Sequence, residues 1–287
     1  MAERKPEVIH DPKELQSRLA ELRKQGKKIG LVPTMGALHY GHLSLAIAAK
    51  EENDISVVSI FVNPKQFAPN EDFDKYPRIL EKDLDLLEQI GVDFAFVPSS
   101  SDMYPVGFDA NVHVGGVSEI LEGSFRPTHF DGVATVVLKL FLITGADTAY
   151  FGQKDFQQVA VVRKMVRDLN VPIDIVSCPI IREKDGLALS SRNRYLSEEE
   201  RKSALILYEA LGQAEFMIHS GTRNAAAVKA ELRRMIEAVP DAEIDYIEIA
   251  DPASLIEMEN IAGNVVVLLA VRIGKTRLID NMIVQPK

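Results

Sequence analysis

Up to about residue 182 the chain repeats one pattern, a short β-branched apolar run followed by a longer stretch with apolar residues at helical spacing. The runs at 29–32, 55–62, 92–97, 148–151 and 173–178 read as strands, and 42–52, 79–90, 133–143 and 156–169 read as helices. Gly91 is placed to cap the helix at 79–90. Segment 55–62 is continuously apolar apart from its serines, as a strand covered on both faces should be. This alternation predicts an α/β fold, a Rossmann-like doubly wound parallel sheet. Ligands of such sheets bind beyond the C-terminal ends of the strands, so residues there are the first candidates for function.

From about Glu183 the texture changes. Ser197 followed by Glu198, Glu199 and Glu200 opens a helix whose acidic first turn suits the macrodipole. A second helix covers 225–238, and 244–249, 265–271 and 277–284 read as strands of a small antiparallel sheet. The expected division is therefore a domain at 1–182 and a smaller α+β domain at 183–287. The chain's 287 residues, 46% hydrophobic and 26% charged, suffice for two domains of unequal size.

Charge and cysteine content narrow the function. A net charge of -9 without a basic stripe argues against coating nucleic acid, while leaving room for anionic substrates held by a few local cations. The single cysteine, Cys178, permits no intramolecular disulfide and no cysteine-based zinc site, and its apolar setting reads as core filling. The N-terminus has no apolar signal-peptide core, and the longest apolar run, 265–271, is far short of a membrane span. A cytoplasmic protein that engages neither membrane nor nucleic acid is expected.

The most informative segment is 30–42, which leaves the first strand through Pro33-Thr34-Met35-Gly36 and enters the next helix at His39-Tyr40-Gly41-His42. The unpaired N–H groups of a helix start form an anion site there. Gly36 and Gly41 let the backbone bend and come close to a ligand. His39 and His42, three apart, share one side of a helical turn and can donate to phosphate oxygens whose charge grows during phosphoryl or nucleotidyl transfer. Two histidines alone would also be compatible with a metal pair or with incidental residues on a capped helix. Their setting after a first strand favours a nucleotide.

This segment has the HxGH form of the signature shared by nucleotidylyltransferases and class I aminoacyl-tRNA synthetases, and its surroundings resemble the pantothenate synthetase (pantoate–β-alanine ligase) family. The resemblance continues through the blocks at 61–67, 70–78, 126–133, 151–158 and 182–193, and more weakly at 277–281. It implies an ATP-dependent, magnesium-assisted reaction in which pantoate is activated as pantoyl adenylate with release of pyrophosphate. The amine of β-alanine then displaces AMP to give pantothenate.

Carried over residue by residue, the resemblance implies catalytic roles for His39, His42, Lys154 and Arg192. ATP would be bound by Met35, Gly36, Ala37, Leu38, His39, Tyr40, Gly41 and His42, then by Gly152, Gln153, Lys154 and Asp155, and finally by Ile181, Leu189, Ser190, Ser191 and Arg192. Ser190, Ser191 and Arg192 would clamp the phosphates, and the smaller C-terminal domain would close over the active site. Gln66 and Gln158 would hold pantoate, with Gln66 also touching β-alanine. The geminal dimethyl group of pantoate needs an apolar wall, for which Pro33, Met35, Phe61, Val136 and Val137 are candidates. The resemblance further implies a homodimer.

The chain departs from the family pattern at Gln153, where an acidic residue is common, and at Leu189, where methionine is common. If that acidic residue helps to hold magnesium, the metal here must rely on phosphates and other ligands. Two other readings are open: transfer of a nucleotidyl group to a phosphate acceptor, and a non-catalytic nucleotide sensor. The first would need basic residues around the acceptor, where this chain offers Gln66, Gln158 and apolar neighbours. Gly274-Lys275-Thr276 mimics the end of a P-loop, but Leu269 stands where its first glycine is required. His10, His113 and His219 have no partners at catalytic spacing, and His129 lies in a family-like block without an assignable role.

Overall fold

The strand–helix alternation folds as a six-stranded sheet in the computed structural model, which describes residues 5–68, 71 and 73–287. Asn70 and Asp72, part of the block at 70–78, and the first four residues of the N-terminus lie outside the described residues. In chain order the elements are β1 (Glu7–Ile9), α1 (Pro12–Lys24), β2 (Ile29–Thr34), α2 (Tyr40–Glu52), β3 (Ile55–Ile60), α3 (Leu80–Ile90) and β4 (Phe94–Phe96). There follow α4 (Ser100–Met103), α5 (Glu122–Phe125), α6 (His129–Thr144), β5 (Thr148–Gly152), α7 (Phe156–Asp168) and β6 (Asp174–Cys178).

The strand order is β1-β4-β3-β2-β5-β6, and every pairing is parallel. From β2 the chain steps outward through β3 to β4, then returns to place β5 on the other side of β2. Right-handed crossovers put the connecting helices on opposite faces when the direction reverses. Accordingly α2 packs with α3, and α1 with α6. The reversal leaves a crevice at the C-terminal ends of β2 and β5, where such sheets bind ligands. The histidine segment leaves β2 at this point.

Gly91 ends α3 in the left-handed region at φ 78°, its N–H bonded to Leu87 O at 3.0 Å, as its position predicts. Besides the short helices α4 and α5, two elements at the start of the chain were not anticipated. β1 is only three residues long, and α1 buries only Leu15 and Leu19, so its apolar stripe is thin. Its cap is nevertheless written in Asp11 and Pro12, with Asp11 Oδ1 accepting from Glu14 N at 2.8 Å.

Contacts divide the chain into two compact units. One runs to Gly152 and includes Gln157–Cys178; the other is Gln153–Phe156 with Pro179–Lys287. The expected boundary at 182/183 thus corresponds to a division after Cys178, and the turn that follows β5 belongs with the second unit.

The second unit contains α8 (Glu198–Ser203), α9 (Ile206–His219), α10 (Ala225–Glu237), β7 (Ala242–Ala250), β8 (Val265–Ile273) and β9 (Thr276–Val284). The three strands form an antiparallel sheet in the order β7-β8-β9, with α9 and α10 packed together and on the sheet. The core joins Leu207, Leu211 and Ile218 of α9 to Val228 and Leu232 of α10 and to Val267, Leu269 and Val271 of β8. Full burial of each larger aliphatic side chain contributes ~1.5–3 kcal/mol. Ser197 and Glu200 cap α8 reciprocally, at 2.8 and 3.1 Å. Gly274 and Lys275 form the β8–β9 hairpin turn, with Gly274 at φ 55°. The P-loop resemblance there is a turn and nothing more.

A buried ion pair ties β9 to Arg182 within this unit. Asp280 of β9, 3% exposed, accepts from Arg182 Nη1 at 2.6 Å and Nη2 at 2.9 Å. Arg182 Nη1 also donates to Gly186 O at 3.0 Å, and the guanidinium lies 4.7 Å from the Tyr208 ring centroid. Removing one partner of a buried pair leaves the other charge uncompensated. Asp280→Ala is therefore expected to destabilise the protein by ~3–5 kcal/mol in denaturant unfolding, far more than a surface substitution.

Candidate functional site

The loop between β2 and α2 is built around a buried carboxylate. Asp83, four residues before Leu87 on the buried stripe of α3, is 1% exposed. Its Oδ2 accepts from Ala37 N at 2.9 Å and its Oδ1 from Leu38 N at 2.8 Å. Burial pushes its pKa up, while the Leu38 and Ala37 N–H groups oppose the rise. Those bonds hold two consecutive left-handed residues, Gly36 at φ 79° and Ala37 at φ 51°. A side chain at Gly36 would be strained by that φ and would meet Asp83 Oδ2 at 2.9 Å. Thr34 adds a third tie, accepting from Gly36 N at 3.2 Å and donating to Ser59 O at 2.6 Å.

Released from this clamp, the chain enters α2 at His39. His39 Nδ1 accepts from Gly41 N at 3.1 Å, and His42 Nδ1 accepts from His39 N at 3.4 Å. The two rings thus act as a reciprocal helix cap, a task usually given to serine and glutamate. Their centroids are 4.1 Å apart. Because each Nδ1 accepts from the backbone, the proton of each neutral ring sits on Nε2. Gly41 is required sterically: a Cβ there would come within 2.9 Å of His39 Cε1. Its expected purpose, close approach to a ligand, is thus joined by a need to accommodate the ring.

Gln66 ends a 3-10 turn, Pro64–Gln66, just beyond β3. Asn63, 1% exposed, fixes it: Asn63 Nδ2 donates to Gln66 Oε1 at 3.1 Å and to Gly132 O at 3.1 Å, while its Oδ1 accepts from Tyr104 OH at 2.7 Å. With Oε1 engaged, the Gln66 amide presents Nε2, which lies 3.1 Å from Met35 Sδ. The turn after β3 and the histidine loop after β2 therefore meet.

Behind Gln66, His129 Nδ1 lies 2.9 Å from Gln66 O, and Arg126 Nη1 lies 3.2 Å from His129 Nε2. Since a carbonyl only accepts and a guanidinium only donates, Nδ1 carries the proton and Nε2 accepts. Arg126 in turn grips Glu71 through Nε at 2.6 Å and Nη2 at 2.7 Å. Burial works against the Glu71 carboxylate, but the Arg126 bonds outweigh it and hold its pKa below the ordinary value. His129, which the sequence left without a role, supports the backbone of Gln66.

Phe61, Val136 and Val137 are buried, and Pro33 and Met35 are half-buried. Gln158, near the start of α7, is half-buried and its amide has no hydrogen-bond partner among the described residues. Its neighbour Gln157 is a structural clamp, donating through Nε2 to Val117 O at 2.8 Å and Ile120 O at 2.7 Å and accepting from Glu122 N at 3.0 Å. Gly152 ends β5.

The remaining candidates belong to the second unit. Gln153–Asp155 is a 3-10 turn in which Lys154 Nζ lies 3.6 Å from Asp155 Oδ1, the lysine side chain 18% exposed and the aspartate 51%. Ile181 and Leu189 are joined through Leu189 N and Ile181 O at 2.9 Å, so the strand-like arms of a hairpin carry both. Ser190 caps the following 3-10 turn, Ser191–Tyr195, its Oγ accepting from Arg192 N at 3.2 Å. The Arg192 side chain is exposed and has no ion-pair partner among the described residues. Cys178 is buried, and burial raises its thiol pKa, which suits core filling. No three His, Cys, Asp or Glu side chains group as a metal cage among the described residues. No described helix is long and apolar enough to cross a membrane.

Asn63, Asp83, Arg126 and Gln157 were not singled out from the sequence. Asp83 had a visible signal, a charge on the apolar stripe of a helix. Gln157 bonds groups distant in sequence, and Asn63 joins its neighbour Gln66 to the distant Gly132 and Tyr104, so nothing local marked the role of either.

The pantoate-beta-alanine ligase family model matches residues 7–283. The pantothenate synthetase of Caldicellulosiruptor bescii is 52% identical over 280 residues, covering 98% of this chain and 99% of that protein. The crystal structure of pantothenate synthetase from Thermus thermophilus superimposes with a TM-score of 0.92 at 44% identity, covering 98% of this chain and all of that one. Pantoate-beta-alanine ligase from Francisella tularensis, solved with β,γ-ATP and β-alanine, gives a TM-score of 0.79 at 39% identity, covering 96% of this chain and 97% of that one.

Two measurements test the geometry. Asp83→Ala strands two buried N–H groups and is expected to cost ~2–4 kcal/mol in denaturant unfolding, whereas Asp83→Asn keeps one acceptor and should cost less. His129 gives a pH dependence. Its pKa is pushed down to about 4, first by burial and then by Arg126, against the opposing Gln66 bond and the Glu71 and Glu122 charges. The unfolded chain therefore takes up this proton before the folded one does. The stabilisation is complete above about pH 6.5 and is lost towards pH 4, by at most ~3 kcal/mol. Stability curves of the wild type and His129→Gln should converge across that window.

Proposed function

The chain belongs to the pantoate–β-alanine ligase family, and on that premise we propose that it condenses pantoate with β-alanine at the expense of ATP, through pantoyl adenylate. The observation that carries this reading is the fixed amide of Gln66, held by Asn63 against Met35 of the histidine loop. An amide with its oxygen already engaged is a donor suited to a carboxylate or hydroxyl. Buried Phe61, Val136 and Val137 suit the geminal dimethyl group beside it. Arg126, the cation behind Gln66, is occupied by Glu71, which disfavours the alternative of a phosphate acceptor.

In the first step a pantoate carboxylate oxygen attacks the α-phosphorus of ATP, forming the acyl–phosphate bond and breaking the bond to pyrophosphate. In the second the β-alanine nitrogen attacks the acyl carbon, loses a proton, and AMP leaves with the oxygen. Nucleotide contacts are assigned to Met35–His42 and Gly152, to Gln153, Lys154 and Asp155, and to Ile181, Leu189, Ser190, Ser191 and Arg192. His39 and His42 donate to phosphate oxygens, and Lys154 and Arg192 meet charge that grows during the step, so they serve the transition state more than the ground state. Gln158 joins Gln66 on pantoate, and Gln66 also serves β-alanine.

Magnesium is implied by the family resemblance. When bound with ATP it would neutralise charge on the phosphates. The same resemblance implies a homodimer.

The discriminating experiment is isotope exchange between pyrophosphate and ATP. It should require pantoate and proceed without β-alanine, because adenylation precedes amine attack. Gln66→Ala and Gln158→Ala should each lower exchange at subsaturating pantoate by ~5- to 100-fold while ATP still binds, since an unpaired polar group costs ~1–3 kcal/mol. Exchange without pantoate, or equally fast exchange with an unrelated carboxylate, would refute the substrate assignment.

A further inference from the structure

The geometry points to Asn281 and Gln153 as a positioning pair that fixes the Lys154 turn to β9, so that residue 153 serves in this chain as an anchor and not as a metal ligand. The inference rests on the reading above in which Lys154 meets the phosphates of ATP.

Asn281 is 2% exposed and lies near the middle of β9. Its Nδ2 donates to Gln153 O at 3.0 Å and to Lys154 O at 3.0 Å. Two carbonyl oxygens on one amide group force the nitrogen to face them, because an oxygen there would be repelled by both. The orientation of Asn281 is thereby settled, and its Oδ1 is left facing the side chain of residue 153. Only a donor can satisfy it. Gln153 supplies one, with Nε2 at 3.3 Å from Asn281 Oδ1. Two of the three bonds thus hold the two peptide groups that flank the Lys154 Cα, and the third closes the pair.

An acidic residue at 153 could not make this closure. Its carboxylate would oppose Asn281 Oδ1, and turning Asn281 over to meet it would strip both backbone carbonyls of their donor. Burial sharpens the choice, since an unsatisfied group at a site this enclosed is costly. Asn281 is itself held from behind: its N–H donates to Asp280 Oδ1 at 2.8 Å, and Asp280 is locked by Arg182. The turn at 153–156 accordingly belongs with the second unit by its contacts, although it follows β5 in the chain.

The test is a double-mutant cycle read by pyrophosphate–ATP exchange in the full-length protein, with Kd for ATP measured separately. Asn281→Ala is expected to lower the exchange rate constant ~10- to 100-fold while Kd for ATP changes less than threefold, and Gln153→Glu to lower it by a smaller factor. In a Lys154→Ala background both effects should largely vanish, because a misplaced lysine and a missing one are equivalent. A merely structural loss would instead multiply with Lys154→Ala, and that result would overturn the inference. So would a Gln153→Glu protein that needs less magnesium for half-maximal rate, since residue 153 would then face the metal. If Asn281→Ala does not fold, Gln153→Met removes only the closing donor and is read by the same cycle. A Lys154→Ala protein with undiminished exchange would overturn the phosphate role of Lys154, and with it the purpose of the pair; an impaired Lys154→Ala beside a normal Asn281→Ala would overturn the pair alone.

Discussion

The histidine loop depends on the carboxylate of Asp83. Two successive residues in the left-handed region, one of them alanine, will not persist in a free chain, and the two N–H groups that follow them are turned away from any strand or helix partner. A single carboxylate with two oxygens answers both needs at once. Its burial is unfavourable for the charge, as the raised pKa records, yet the two N–H groups offset much of that cost. The rest follows from the end of this loop. His39 starts α2 where it does because Leu38 is held, and the capping exchange between His39 and His42 sets which ring nitrogen carries the proton.

The surroundings of Gln66 are organised on a different principle. Around Gln66 the polar groups are paired so completely that little charge remains. Asn63 takes the amide oxygen, His129 and Arg126 take the backbone carbonyl, and Glu71 takes the guanidinium. What is left is a neutral donor, Gln66 Nε2, against the thioether of Met35.

How much of this was readable from the sequence depended on whether a residue's partner was local. The parallel sheet was legible because strand and helix periods are short-range, and the loop at 36–42 because two glycines and two histidines fall within seven residues just after a strand. α1 was missed because only two leucines mark its buried face, although Asp11-Pro12 announces its start. The support of Gln66 was not legible: Asn63 is close, but Gly132, Tyr104, Arg126 and His129 are 38 to 66 residues away. Nothing in a single sequence pairs such groups. Asp83 lies between these cases, since an aspartate four residues before Leu87 on an apolar stripe calls for a buried partner without saying which.

The weak family likeness at 277–281 finds its explanation in the pleat of a strand. Successive residues of a β-strand point to opposite faces, so Asp280 and Asn281 cannot serve the same neighbour. Asp280 turns to Arg182, at the hairpin that carries Ile181 and Leu189, and Asn281 turns to the peptide groups on either side of Lys154. A shift of one residue in the β8–β9 register would exchange the two faces and lose both attachments together. The register is kept by the buried run of β8 and by the tight turn at Gly274, so the small sheet fixes two loops far apart in the sequence through adjacent positions. An aspartate–asparagine pair buried at the end of a chain of this kind is therefore a constraint on loop geometry, and its companions are a basic residue at the hairpin and a hydrogen-bond donor before the lysine.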